Sequence, residues 1–475
     1  MTNSFSLPII KRVGVIGAGA AGIIAAKNLS QHGFEVKIFE RNDTFGGTWI
    51  YTDRVGSAPP IPCTHQKVAD PPLVPEASSP VHPSAIYKNL HTNLPHPIMS
   101  FYKSPFPEDL TLFPHHSDVL EYLVSYAHEN NLAQLVEFDC EVIDATDRLE
   151  DGESGWMLTI FKRRDGSIRK ERFDAVVVAT GHFYAPYIPE VEGLTEFAQQ
   201  RKVMHSKDYR LPDEFVDKTV LVVGGGFSGV DIAKEISEYA RVVWQSIRTP
   251  FASGSSGDNP TLFGDRVTIK PTVQRYNFEA GSVEFVDGSI MEGVDCVIYA
   301  TGYLYTLPFL KHLIADSADV ETDTKQCIPP PVPTKHGRPL LLTDGQRVHS
   351  LFFHLFYIDN PTLALVGIPF KVVPFPFFEY QSLLIARIYS GKAKLPTRET
   401  MWQEYLENEK KPVANRKAYH LFGAEKELEY KNAIANWINK YSGPNDRVEY
   451  VEEWRVQMRK EVGFLKEKFL KSDRN

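Results

Sequence analysis

Two stretches of this 475-residue chain hold glycines at the spacing that dinucleotide binding requires. The first, VGVIGAGAAG at 13–22, places Gly17, Gly19 and Gly22; the second, VLVVGGGFSG at 220–229, places Gly224, Gly226 and Gly229. In G-x-G-x-x-G the first glycine allows a tight turn, the second lets backbone amides approach a pyrophosphate, and the third lets helix and strand pack closely. Amides freed where the helix starts, with the positive end of its dipole, make an anion site. Ala20 and Ala21 in the first turn and Ser228 in the second fall beside the phosphates in such an arrangement.

The end of the following strand distinguishes the two nucleotides. EVKIFE closes on Glu40, about twenty residues past the turn, where a carboxylate meets the hydroxyls of an unphosphorylated ribose. RVVWQSIRT closes instead on Ser246, Arg248 and Thr249, a cation with hydroxyls, and arginine there accommodates a 2′-phosphate. FAD is therefore expected at the first turn and NADPH at the second. Two further apolar runs, FDAVVVATGH at 173–182 and DCVIYATGY at 295–303, end in ATG. A glycine turn at the C-terminal edge of a strand is where ligands of open α/β sheets sit.

The flanking residues supply the elements these turns need. Val13, Val15 and Ile16 suit a parallel strand covered on both faces, and AGIIAAKNLS keeps apolar residues at helical spacing. The same strand, turn and helix recur at 218–237, so the expected fold class is α/β with two Rossmann-like dinucleotide-binding domains. With 43% hydrophobic and 24% charged residues the composition is that of a soluble globular protein of two or three domains. A net charge of −8 argues against a broad nucleic-acid surface. Cys63, Cys140, Cys296 and Cys327 lie far apart, without C-x-x-C or metal-ligand spacing, so neither a redox disulfide nor a metal site is expected. The most apolar stretch, 351–378, is interrupted by His354, Asp359, Asn360, Lys371 and prolines, which excludes a plain membrane helix. No secretory signal or hydrophobic tail stands out, and a cytoplasmic protein without a membrane anchor is expected.

Between the motifs, RNDTFGGTW offers Gly46 and Gly47 for close backbone approach and Trp49 as a flat apolar face. The proline-rich 56–83 reads as an exposed loop or lid. SDVLEYLVSYAHENN has helical spacing with Ser117 as the N-cap. Past residue 305 the chain is expected to return to the first domain. PFPFFEYQSLLIARIYSGK at 374–392 predicts a loop feeding a helix, and 397–475 a charged helical tail with a solvated face. His91, His96, His115 and His116 lie near one another in the aromatic stretch before that helix and are candidates for a proton relay, although lone histidines are more often structural. Asp231 reads as support for its helix.

On these residues the chain resembles the flavin-containing monooxygenases, most closely their soluble fungal branch. GAGAAG, FGGTW, LHTNLP, SPFPED, ATGH, HSKDY, GGGFSGVD, YATGY and PTLALVGIPFKVVPFPFFEYQ carry the resemblance across nearly the whole chain. It implies an FAD-binding domain over 1–185, an inserted NADPH-binding domain over 186–310, and a return to the FAD domain over 311–475. It implies that Gly47, Thr48, Trp49, Thr92, Asn93 and Leu94 contact FAD, with Asn93 the active-site amide. The implied activity is NADPH- and O2-dependent oxygenation of a soft nucleophile, an amine, sulfide or thiol, through a flavin 4a-hydroperoxide that Asn93 and retained NADP+ protect. Baeyer–Villiger oxidation of ketones, or NADPH oxidase or sensor behaviour without a dedicated substrate, are the alternatives; Tyr209, where ketone-oxidising relatives carry tryptophan, argues against the first. A homodimer is the family-level expectation. One departure stands out: the family pattern F-x-G-x-x-x-H-S-x-x-Y is met at His205, Ser206 and Tyr209, whereas Phe197 lies two residues too early and Arg201 replaces the glycine.

Overall fold

The structure is a computed structural model that describes residues 5–71, 82–149, 154–248, 266–316, 334–335 and 337–472. Its largest sheet has seven strands, in the order Leu351–Phe352, Phe356–Tyr357, Leu363–Leu365, Ala175–Val178, Arg12–Ile16, Glu35–Phe39 and Val136–Glu137. From Leu363–Leu365 to Val136–Glu137 every neighbour is parallel, and the first three are antiparallel. A second sheet of five parallel strands comes wholly from the middle of the chain: Val267–Lys270, Val242–Ser246, Thr219–Val223, Cys296–Tyr299 and Lys202–His205. Covered on both faces, such strands read as unbroken apolar runs, as in AVVV at 175–178 and CVIY at 296–299, all buried.

The chain enters the second sheet's region and leaves it through one ribbon. Ala185–Pro186 pairs antiparallel with Tyr303–Leu304, and the Tyr187 amide donates to the Gly302 carbonyl at 3.0 Å. The return strand Leu363–Leu365 then docks beside Ala175–Val178 in the first sheet. Helices Ala20–Gln31 and Pro374–Tyr389 pack on that sheet, joined where the Asn28 amide donates to Ser382 Oγ at 2.6 Å.

Three local expectations are corrected, and one departure from the family pattern is accounted for. The helix His116–Glu129 is capped by His115, not Ser117: the His115 ring accepts from the Ser117 amide while the Asp118 carboxylate accepts from the His115 amide. The segment 56–83 is not simply exposed, since Cys63 and Gln66 are buried and Gln66–Ala69 is a helical turn. The tail is three helices, Arg398–Glu409, Gly423–Asn439 and Glu453–Ser472, and its charges are partly internal: Lys431 donates to Glu427 at 2.7 Å, with both side chains buried. The lengthened linker is taken up by a helix, Leu194–Gln200, with Phe197 in its core; Arg201 caps it in an extended conformation, φ −128°, which needs no glycine. Among the described residues no helix is long and apolar enough to cross a membrane.

A partly buried ion pair ties the short strand Arg338–Pro339 to the end of the strand Cys140–Thr146. Arg338 donates to both Asp147 oxygens, at 2.6 and 2.5 Å, and the Asn360 amide adds a third bond. Burial opposes the charge on Asp147, yet Arg338, His312 and Asn360 hold its carboxyl well below the usual range. A group depressed in this way contributes stability above its unfolded pKa, and that contribution is lost as pH falls. Asp147→Asn is therefore expected to cost about 3 kcal/mol in urea unfolding at pH 7, with the gap to wild type shrinking below about pH 4.

Candidate active site

A cavity of about 340 Å³ opens at the C-terminal edge of the seven-stranded sheet. Gly17, Gly19, Ala20 and Ala21 line it from the first turn, Glu40 from the strand end, and Gly47, Thr48 and Trp49 from the FGGTW segment. Opposite lie Thr180–His182 from the ATGH turn and the late loop Val366–Phe378.

The first turn has no room for side chains. A Cβ on Gly22 would lie 1.9 Å from the Gly17 carbonyl oxygen, and Gly17, at φ +103°, would set one 2.7 Å from that of Ala179. Gly22 is thus behind the cavity wall, holding helix against strand. A Cβ on Gly19 would meet the Gly47 Cα at 3.4 Å, so two glycine backbones frame the space where a pyrophosphate would pass. Glu40 is buried, and its two oxygens accept from the Ala18 amide at 2.6 Å and the Asn42 amide at 2.8 Å. Burial pushes its pKa up and those amides oppose the rise. Each oxygen keeps a lone pair for a hydroxyl donor. This cradle fits the adenosine diphosphate half of FAD.

The second turn repeats the geometry. A Cβ on Gly229 would lie 2.3 Å from the Gly224 carbonyl oxygen, and one on Gly224, at φ +128°, 2.3 Å from that of Ala300. Gly226 has nothing within 4 Å of its Cβ position, and Ser228 is exposed, so the amide face is open to an anion. Arg248 is exposed at the strand's end. Ser246 is buried and donates its hydroxyl to the Pro271 carbonyl at 2.8 Å, which fastens the strand instead of facing solvent; Thr249 lies outside the described residues.

Thr92, Asn93 and Leu94 are not among the residues lining the cavity wall; they form a separate turn. The Thr92 amide donates to Pro114 O at 3.0 Å and its hydroxyl to Leu94 O at 2.8 Å. Half-buried Asn93 makes no side-chain hydrogen bond among the described residues. The four histidines nearby hold structure: His91 bonds Phe113 O at 3.0 Å, His115 and His116 bond Lys88 O at 2.7 and 3.2 Å, and His96 packs on Phe106. Burial and the neighbouring His115 push His116 down to about 4, so it is neutral at pH 7. Tyr209 is fully buried and donates to Glu235 at 2.7 Å, while Tyr87 donates to Asp231 at 3.0 Å and Asn89 to Glu235 at 2.6 Å, so Asp231 and Glu235 tie their helix to the segment before the 92–94 turn.

Along the cavity the structure gathers residues that the sequence pattern does not single out. Asp70 and His82, from the proline-rich segment, line it with Arg41 and Tyr184. Lys207 stands 3.6 Å from the Tyr184 ring centroid and Arg41 4.3 Å, so two cations share one ring. His182 also lines the cavity, and burial pushes it down to about 4.

A family model described as flavin-binding monooxygenase-like matches residues 78–253 and 258–335, more than half of the chain. The chain belongs to this family. A second model, an NAD(P)-binding Rossmann-like domain, matches 15–68. The flavin-containing monooxygenase FMO GS-OX-like 4 of Arabidopsis thaliana is 33% identical over 94% of this chain and 89% of its own length. The flavin-containing monooxygenase iboF of Amanita muscaria is 30% identical over 92% of this chain and 90% of its own. Among solved structures, S-allyl-L-cysteine S-oxygenase from Allium sativum superposes with a TM-score of 0.77 at 31% identity, covering 98% of this chain and 94% of that one. The protein is thus an FAD-dependent monooxygenase that uses NADPH and O2.

A late segment links the first cavity to the second ATG turn. The segment 416–422 pairs with the cavity-lining Phe370, whose amide donates to His420 O at 3.0 Å, and carries Lys417 to the second ATG turn, where its Nζ lies 2.9 Å from the Cβ position of Gly302. Burial, with Arg248 nearby, pushes Lys417 down to about 8. An ammonium there attracts a phosphate below that pH and is lost above it. NADPH binding, titrated by protein fluorescence, is expected to weaken as pH rises through 8, and Lys417→Met to weaken it at pH 7 and flatten the dependence.

Proposed function

We propose that this monooxygenase transfers one oxygen atom to a soft nucleophile, a thioether or thiol sulfur or an amine nitrogen, with sulfur the first choice. The likeness over nearly the full chain to an enzyme whose name states S-oxygenation of S-allyl-L-cysteine supports that order. For a thioether the balance is R–S–R′ + O2 + NADPH + H+ giving R–S(=O)–R′ + NADP+ + H2O. Bound FAD, reduced by NADPH, supplies oxygen activation.

The chain's own residues bind, orient and exclude water. Residues 1–185 and 311–475 would form the FAD domain and 186–310 the NADPH domain. The observation that carries the reading is the difference between two equal turns: one strand ends in buried Glu40, the other in exposed Arg248. Glu40 would accept from the FAD ribose, and Gly17, Gly19, Ala20, Ala21 and Gly22 would shape the turn at its pyrophosphate. Gly47, Thr48, Trp49, Thr92 and Leu94 would flank the flavin. Arg248, Thr249 and the amides of Gly224, Gly226, Ser228 and Gly229 would take the NADPH phosphates, with Ser246 holding the strand beneath. The unpaired Asn93 amide would donate and accept near the flavin without titrating, which suits a site that must not supply a proton early. A cytosolic homodimer completes the proposal.

Asn93→Ala is the test. With methyl phenyl sulfide as probe, the wild type is expected to form one sulfoxide per NADPH. The variant is expected to keep FAD and oxidise NADPH while most of the reducing equivalents leave as H2O2, a shift of about tenfold or more in the peroxide fraction. A variant coupled as tightly as wild type contradicts the role of Asn93.

A further inference from the structure

The last helix, Glu453–Ser472, was expected to present a solvated charged face, and half of it does: Glu453, Trp454, Gln457, Lys460, Glu461, Phe464 and Lys468 are exposed. The other half is a stripe at spacings of four and three, Arg455, Arg459, Val462, Lys466 and Phe469, covered by the rest of the chain. Eleven residues separate Arg455 from Lys466, about three helical turns, which puts both on one face.

That face is fastened to the 92–100 segment and to the cavity-lining loop that carries Lys371. Arg455 donates to Ile98 O at 3.2 Å, to Ser100 O at 3.4 Å and to Ser100 Oγ at 3.2 Å. Arg459 donates to Lys371 O at 3.3 Å, and Lys371 lines the cavity. Lys466 Nζ donates to Thr92 O at 2.7 Å and stands 4.8 Å from the Phe113 ring centroid. Phe469 packs on Phe113 at 5.3 Å and on His91 at 5.8 Å. Thr92 is therefore held at its amide, its hydroxyl and, through Lys466, its carbonyl. The next residue is Asn93.

We infer that the C-terminal helix is a strap that orients the 92–94 turn, with Lys466 the positioning residue that fixes the Thr92 carbonyl and so the backbone from which the Asn93 side chain projects. A peptide unit shared by Thr92 C=O and Asn93 N–H is planar, so pinning its oxygen pins the entry to Asn93. The charged donor makes that bond stronger than a neutral one. Lys466 touches neither substrate nor cofactor in this role, and the inference rests on Asn93 being the working amide.

The test uses full-length holoenzyme and three changes: Lys466→Met, Lys466→Arg, and Lys466→Met added to Asn93→Ala. The readout is H2O2 formed per NADPH with methyl phenyl sulfide present, alongside FAD content and Tm, which control for folding. Lys466→Met is expected to raise the peroxide fraction roughly threefold or more, and Lys466→Arg to restore coupling, because a guanidinium can donate to the same carbonyl. In the Asn93→Ala background the Met change is expected to add nothing, as it must if both act through one amide. A tightly coupled Lys466→Met enzyme, or an additive effect in the double variant, overturns the strap. Failure of Asn93 itself shows separately, as a coupled Asn93→Ala enzyme.

Discussion

The whole molecule depends on one constraint met twice: a helix brought so close to its strand that no side chain fits between. At Gly22 a Cβ would lie 1.9 Å from Gly17 O, and at Gly229 one would lie 2.3 Å from Gly224 O. Real Cβ atoms do not approach so near, so the glycines are what let each helix start point its free amides at the strand edge. The parallel sheets follow from the same constraint, because both of their faces must be covered and their ligand edge left open.

The two turns share a frame, and the groups around them set their chemistry apart. Glu40 is buried among backbone amides and offers acceptors; Arg248 is exposed and offers donors. The late segment then joins the two. Residues 416–422 reach from Phe370 at the first cavity to Gly302 at the second ATG turn, and the ribbon of Ala185–Pro186 with Tyr303–Leu304 ties entry to exit. Tyr87 and Asn89, bonded to Asp231 and Glu235, couple the second unit's helix to the segment that carries the 92–94 turn, and Tyr209 braces Glu235 from within the unit. The two nucleotide-binding units are in this way joined by one continuous set of contacts.

The glycine turns, both ATG edges and the acid and cation at the strand ends were legible in the sequence because each rests on local spacing. Asn93 was not legible from spacing, since Asn before Leu-Pro reads as an ordinary turn residue; the family resemblance picked it out, and its unpaired amide is consistent with that choice. Ser246 fits the motif by position, yet its hydroxyl is spent on Pro271, a partner twenty-five residues on that no local pattern reveals. Asp70, His82 and Lys417 went unread for a similar reason: they sit in segments without period and reach the sites only through tertiary contact. The charged tail looked solvated because half of its last helix is, while the stripe that docks is itself basic and bonds to carbonyls.

All of this serves one reaction, the delivery of an oxygen atom from O2 to a soft nucleophile at the expense of NADPH. Turnover of methyl phenyl sulfide under 18O2, with sulfoxide analysed by mass spectrometry and NADPH consumption followed in parallel, tests it most directly. One 18O atom in each sulfoxide and one NADPH consumed per sulfoxide formed are expected. Unlabelled sulfoxide, or NADPH consumption that yields H2O2 alone while sulfide and amine probes are returned unchanged, would contradict it and leave an oxidase in its place.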